Sequence, residues 1–398
     1  MRQVTDDGEA NPSKRVTVRQ FYAYRIAVRE GFSLLHNAGL LLHQYLVDAY
    51  TKIEGNVLTY IRLNRRQLQV ELYRGLLDHL ITRANELNVA VGRVVILPSS
   101  FVRSPRNMYQ HFLDAMTIMR VYGKPDYFIT FTANPNWPEI LHNIEPHQTP
   151  NDRPDITTHV FNLKLQQFKH DLLTVGLLGM PIAHVYTIEF QKRGLPHAHL
   201  LLFVRDIDKP RTPEVIDANV SAEIPDTEPE LYEKVKRHMI HGPCGHLNHN
   251  SPCMENGICK KSFPKQRSDE TIVNDDGYPS YKRCRRFRAH VRGNMVSDEF
   301  VVPYSPVLLT KYNCHINVEV CTTVKSVKYI FKYIHKGFDC AAVEVRSGKP
   351  FYLNTTSLLT YIYSLTGRTY HNTVHSYNTS QSISTSMCTV FLSYSTVL

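Results

Sequence analysis

The chain has 398 residues and a formal net charge of +10. It can hold more than one domain, and its charge suits an anionic partner, most simply nucleic acid, although basic solubility explains the charge equally well. No run of apolar residues is long enough for a membrane-spanning helix, and the first fifteen residues (MRQVTDDGEANPSKR) lack the apolar core of a secretory signal. Eight cysteines without such a signal point to a reducing compartment, in which paired disulfides are not expected.

In chain order, residues 1–15 read as a disordered lead and residues 16–105 as a largely helical region, its apolar residues recurring at helical spacing with few breakers. Arg19, Arg25, Arg29, Arg62, Arg65 and Arg66 suit phosphate contacts or a plain charged surface about equally. Tyr22, Tyr24 and Tyr60 suit core packing better than base stacking. Residues 106–122 predict a helix ended by Gly123-Lys124-Pro125. Tyr127 to Thr132 (YFITFT) has the β-branched and aromatic content of a strand, and Asn134 to Pro138 turns the chain. Residues 156–175 predict an amphipathic helix closed by Gly176, Gly179 and Pro181. Residues 206–230, rich in Pro, Asp and Glu, read as a surface loop, and residues 300–303 and 315–320 as further strands. The predicted class is α+β: an antiparallel core over residues 106–345, flanked by helices and carrying a Cys/His insert at about 238–292. A divergent, poorly ordered tail follows at 346–398.

Residues 184–190 (HVYTIEF) and 194–203 (GLPHAHLLLF) read as a hairpin. Side chains at i and i+2 of a strand share one side, so His197 and His199 present two imidazoles together, an arrangement suited to a divalent metal. Glu189 and Gln191 share one side of the partner strand, and either supplies a third ligand. Taken by itself, the pair favours two satisfied histidines in an ordinary sheet. Residues 324–337 (VKSVKYIFKYIHKG) predict a helix with Val324, Val327, Ile330, Phe331 and Ile334 on one side. Tyr329 and Tyr333, four apart, lie one turn from each other on the opposite side, with Lys325, Lys332 and Lys336 beside them. Such a helix is either a solvated basic surface or a pair of phenol nucleophiles facing a phosphodiester.

Taken together these stretches resemble the HUH endonucleases, which join a His-hydrophobe-His metal site to one or two tyrosines on a helix. The wording of PDYFITFTANPNWPEI, YTIEFQKRGLPHAHLLLF, KYNCHINVEV and KYIFKYIHKG resembles the two-tyrosine replication-initiator nuclease of Helitron transposons, over about residues 16–344. The chain departs from the family at Arg103, where Gly is usual, and at Ala133, where Cys is usual; neither is a ligand. The resemblance implies a nuclear, metal-dependent (Mg or Mn) endonuclease and strand transferase acting on single-stranded DNA. Metal would be held by His197, His199 and Glu189 or Gln191, and Tyr329 or Tyr333, aided by Lys336, would form a 5′-phosphotyrosine. The alternative is a truncated, catalytically dead DNA-binding remnant of such a protein, and a third is a zinc-stabilised interaction protein with an incidental histidine pair. No GxxxxGK[ST] sequence is present, so neither nucleoside triphosphate binding nor helicase activity is expected of this chain.

The insert holds Cys244, Cys253 and Cys259 near His241, His246 and His249. A structural zinc takes four such ligands; the spacing is not a CxxC repeat, and free thiols in a turn-rich segment are the alternative. A similar Cys/His insert in the Helitron nuclease implies metal, with Cys244, Cys253, Cys259 and His241 or His246 as ligands. The run KRCRRFRAHVR contains Lys282, Arg283, Arg285, Arg286 and Arg288. Its cations interleaved with aromatics suit a single-strand groove, as do Lys325 and Lys332.

Overall fold

A computed structural model describes residues 2–4, 10–64, 97–101, 104–190, 195–273, 278–284, 288–322 and 387–393. Among them a ribbon of β1 (Arg2–Val4) and β2 (Ala10–Arg15) precedes helices α1 (Val18–Ile26), α2 (Leu40–Leu63) and α3 (Pro105–Tyr122). Strand β3 (Tyr127–Thr132) leads to the short α4 (Pro138–Leu141) and then to α5 (Pro154–His170), which ends in a π-helical turn at Asp171–Val175. A hairpin of β4 (Pro181–Phe190) and β5 (Pro196–Val204) follows, then α6 (Pro213–Asn219) and α7 (Pro229–His238). Two small hairpins, β6 (Met254–Glu255) with β7 (Ile258–Cys259) and β8 (Arg288–Val291) with β9 (Asn294–Ser297), lie in the insert. The rest is α8 (Pro306–Tyr312), β10 (Ile316–Val320) and β11 (Met387–Ser393).

Eight α-helices and antiparallel sheets make the described chain α+β, as the sequence predicts. The main sheet has the order β10-β3-β5-β4-β11, every neighbour antiparallel. Side chains of a strand alternate between the two faces, and here each face has its own chemistry. On one side Ile129 and Phe131 of β3, Leu200 and Leu202 of β5, Ile188 of β4 and Ile316 and Val318 of β10 are buried in one core with Phe161, Leu165 and Phe168 of α5. Phe131 is the hub: its ring centroid lies 4.6 Å from Phe168, 5.6 Å from Phe161, 5.5 Å from Tyr312 and 6.1 Å from Trp137. The polar tips of this cluster are satisfied, since Trp137 Nε1–H donates to the Tyr312 carbonyl at 2.8 Å and the Tyr312 hydroxyl donates to Asp171 at 2.6 Å. Truncation of Phe131 to alanine removes the ring all four others pack on. The expected cost is about 3–5 kcal/mol of unfolding free energy, measured as a shift of the urea midpoint at constant slope.

On the opposite side the sheet changes character along its strands. At one end Phe128, Val185, Leu201 and Phe203 bury against Ala115 and Ile118 of α3. Beyond the reach of α3 the same face turns polar, and that end is the floor of the cavity described below. The insert has a separate core, in which Val235 and Met239 meet Cys244, Cys259, Val296, Phe300, Tyr304 and Leu309.

Four sequence expectations are corrected. Residues 2–4 and 10–15 pair as a ribbon inside the lead predicted to be disordered. The loop predicted at 206–230 contains α6, which starts with proline at its first turn and buries Ile216. Residues 300–303 form no strand; they carry one isolated bridge, Val301 to Ile240, after a 3₁₀ turn at Asp298–Phe300. In the tail predicted to be poorly ordered, Met387–Ser393 pairs with β4, its Thr, Val and Phe being strand formers.

Candidate functional site

His197 and His199 both lie on the polar end of β5, the inner strand flanked by β3 and β4. The register places Thr132 and Glu189 opposite His197, and Thr130 and Thr187 opposite His199. Both imidazoles are buried, and each uses Nδ1 on a threonine hydroxyl of β3: His197 with Thr132 Oγ1 at 2.9 Å, His199 with Thr130 Oγ1 at 3.1 Å. A tautomer with Nδ1–H donating to the hydroxyl leaves the lone pair on Nε2, as a metal ligand needs. The His197 and His199 rings lie nearly parallel, with centroids 6.2 Å apart, and His199 also stacks on Phe128 at 5.9 Å. Glu189 Oε2 approaches His199 Nε2 at 3.4 Å.

Buried polar atoms are nearly always hydrogen-bonded, so those without partners report on function. Thr187 Oγ1, Glu189 Oε1, His197 Nε2 and Asn317 Oδ1 are buried without a hydrogen-bond partner among the described residues, and all belong to this one face. Burial pushes His197 down to about 3, with His199 and His315 adding repulsion, so its imidazole is neutral at physiological pH. Two imidazoles held from behind by hydroxyls, with the Glu189 side chain beside them, fit a divalent cation by donor type and by the orphaned atoms they present.

These residues floor a cavity of about 1370 Å³, whose lining also includes His238, His241, Lys261, Phe263, Lys265, Tyr281, Arg292, His315, Asn317 and Glu319. His315 and Glu319 both line the cavity and both are hydrogen-bonded. His315 Nδ1–H donates to the His238 carbonyl at 2.8 Å. Tyr281, whose hydroxyl accepts from the Val320 amide at 2.8 Å, also hydrogen-bonds Glu319, as does Asn317. Burial pushes the Glu319 carboxyl up to about 7, against the pull of Tyr281, Arg283, Lys265 and Asn317. A carboxyl raised in this way keeps its proton in the folded chain while the unfolded chain loses it, so its penalty grows from about pH 4.5 to pH 7 and is complete above. Glu319→Gln is therefore expected to gain on the wild type over that window, by about 2 kcal/mol at pH 8 after allowing for water in the cavity. Thermal midpoints of both chains across the pH range check this.

In the insert, ligand atoms of His241, Cys244, Cys253 and Cys259 all lie within 4.8 Å of one another. His241 Nε2 stands 3.3 Å from Cys253 Sγ and 3.5 Å from Cys259 Sγ. Burial and the neighbouring thiols push Cys244 up to about 12. Burial also works against the Cys259 thiolate, but amides of Phe263 and Lys261 and the other thiols bring it down overall. Three thiols this close cannot all ionise without a cation between them, and this group could hold a metal ion. His246 is not part of it: the turn at Gly245, with φ of +65°, carries His246 to the exposed surface. The fourth member is His241, which the end of α7 and the bridge at Ile240 position.

The basic run is divided. Arg283 is buried, and its Nη1 donates to the carbonyls of Ala222, Val301 and Asp298, so it ties loops together and does not present itself to a phosphate. Lys282 faces Glu223 at 3.8 Å, and Arg288 is exposed on β8, outside the cavity lining. Gln191, Arg285, Arg286, Lys325, Tyr329, Lys332, Tyr333 and Lys336 lie outside the described residues. Sequence reasoning passed over Thr130 and Thr132, although their i, i+2 spacing in YFITFT matches that of the histidines they support. It also passed over Lys261, Lys265 and Arg292.

Comparison with curated proteins finds no match. Residues 21–202 match the family described as the Helitron helicase-like domain at N-terminus. The matched span runs from α1 into β5, so it contains His197 and His199 and stops before the insert. Over residues 21–202 the chain is thus similar to the Helitron helicase-like N-terminal domain, which suggests a relationship to the Helitron transposases.

Proposed function

We propose that the protein is a metal-dependent single-stranded DNA endonuclease and strand transferase of a Helitron rolling-circle transposon, built on an HUH-type core. The observation that carries this reading is the floor of the cavity: His197, with its buried Nε2 unpartnered among the described residues, and His199, beside the Glu189 carboxyl, both backed by threonines on the inner strand of an antiparallel sheet. The family match and the net charge of +10 support it independently. His197, His199 and Glu189 would hold Mg or Mn, which when bound polarises a phosphate as a Lewis acid. Tyr329 or Tyr333 attacks the scissile phosphorus; the new bond joins the phenolic oxygen to the 5′-phosphate, and the 3′-oxygen leaves and takes up a proton. A phenol has a pKa of about 10, and lysines such as Lys336 favour the phenolate. The phosphoester is conserved in this exchange, so rejoining needs no nucleotide triphosphate. Zinc is the metal that suits a closed Cys₃His set in the insert, in a structural capacity.

The test is incubation of the full chain with Mn²⁺ or Mg²⁺ and a labelled oligonucleotide, followed by a denaturing gel. A shifted band that survives denaturant and is lost in the Tyr329→Phe/Tyr333→Phe double variant is expected. An undiminished adduct in that variant refutes the tyrosine assignment, and a wild type that binds DNA but never forms an adduct leaves only the DNA-binding remnant.

A further inference from the structure

Three cations absent from the expected DNA-contacting set line the cavity across from the sheet: Lys261 and Lys265 of the insert, and Arg292 of the β8–β9 turn. Glu189 and Glu319 are the acidic side chains of that lining, so the enclosure carries an excess of positive charge before any metal is added. The position of each cation is tied to the Cys/His cluster. His241 stacks on Phe263, centroids 4.2 Å apart and planes within 12°. The Lys265 ammonium lies 5.0 Å from the centre of the same ring. The amide of Lys261 donates to the Cys259 sulfur at 3.4 Å. Gly242 follows His241 and leaves open the space that Arg292 occupies: a Cβ there would stand 2.5 Å from Arg292 Nη1. Arg292 itself holds a left-handed φ of 48° at its turn, a conformation uncommon for a residue with a side chain.

The cavity, at about 1370 Å³, exceeds the roughly 300–1,000 Å³ of a typical small-molecule pocket. Its floor bears the metal-type ligands and its opposite wall bears cations. That is the layout of a groove that grips a polyanionic strand along one side and presents one linkage to the other. We propose that the insert is the gripping wall of a single-strand DNA groove, in which Lys261, Lys265 and Arg292 contact backbone phosphates and lead the strand onto His197 and His199. The inference rests on the single-strand DNA reading above and adds the residues that hold the strand. It also gives the Cys/His cluster a role at a distance, because a metal there fixes the backbone from which Lys261 and Lys265 project.

The test is fluorescence anisotropy of the full chain with a labelled oligothymidine of roughly 20 nucleotides, titrated over a range of salt concentrations. The Lys261→Ala/Lys265→Ala/Arg292→Ala variant is expected to bind at least about tenfold more weakly, with a salt slope smaller by about 2 for three lost phosphate contacts on a single strand. Lys261→Arg/Lys265→Arg is expected to retain wild-type affinity, and circular dichroism with thermal midpoints checks that the alanine variant is folded. Unchanged affinity and slope in a folded alanine variant overturn the groove wall while leaving the nuclease reading standing. A wild type that does not bind single-stranded DNA overturns both.

Discussion

Replacing His197 or His199 by alanine is expected to lower covalent adduct formation on the order of a hundredfold or more, and replacing both to abolish it. The basis is geometric: each imidazole is oriented from behind by a threonine hydroxyl, so its loss removes a pre-positioned ligand. Loss of even an outer hydrogen-bonding partner typically costs about 10–100-fold in metal affinity or activity. Thr132→Val, which keeps the shape of the side chain and removes the hydroxyl behind His197, is therefore expected to fall within that range, with a matching rise in the Mn²⁺ concentration required. Adduct yield against metal concentration for the four variants separates lost metal from lost chemistry. Full activity in the double histidine variant would remove the metal centre from the mechanism.

The other large effect is expected in the insert. Cys253→Ser removes one of four clustered ligands, while Cys244 and Cys259 remain buried beside His241. Structural zinc sites contribute apparent binding free energies of about 10–16 kcal/mol in small peptides, much of it folding free energy. The insert's core leans on two of the cysteines, Cys244 and Cys259, so loss of metal is expected to melt residues of the insert before the main sheet. Wild-type protein should carry about one equivalent of zinc by elemental analysis, the Cys253→Ser variant little or none, with an added low-temperature transition on heating. An identical zinc content and a single unchanged transition in the variant would show that the cluster is a set of free thiols.

Much of this arrangement is legible in the sequence because local pattern and tertiary role agree. YFITFT and PHAHLLLFV form strands, and the alternation that puts His197 and His199 on one side also sends Ala198 and Leu200 into the apolar core. What was not legible depends on which strands meet. Nothing local in the sequence states that β10 pairs with β3, so the arrival of Asn317 and Glu319 on the histidine face is a tertiary fact. Within the basic run Arg283 was misread for a related reason. Charge density identifies a surface only when the chain exposes it, and Arg283 is buried with its guanidinium donating to the carbonyls of Ala222, Asp298 and Val301. Conversely Lys261 and Lys265 look unremarkable in sequence and matter through their place opposite the sheet.

The strand order β10-β3-β5-β4-β11 carries a consequence for how the molecule is made. Phe131 must wait for Ile316 to be synthesised before its strand has a partner on that flank, and β4 must wait for β11, so until then the hairpin of β4 and β5 with β3 would have both rims bare. Pairings this remote in the chain slow folding, because loop closure is costly before any contact rewards it. The insert, emerging from the ribosome between those events, could take up an ion at its Cys/His cluster while the main sheet is still incomplete. Expression with too little available metal would then fail by aggregation of a half-assembled sheet, a kinetic fault that no inspection of the finished fold would reveal.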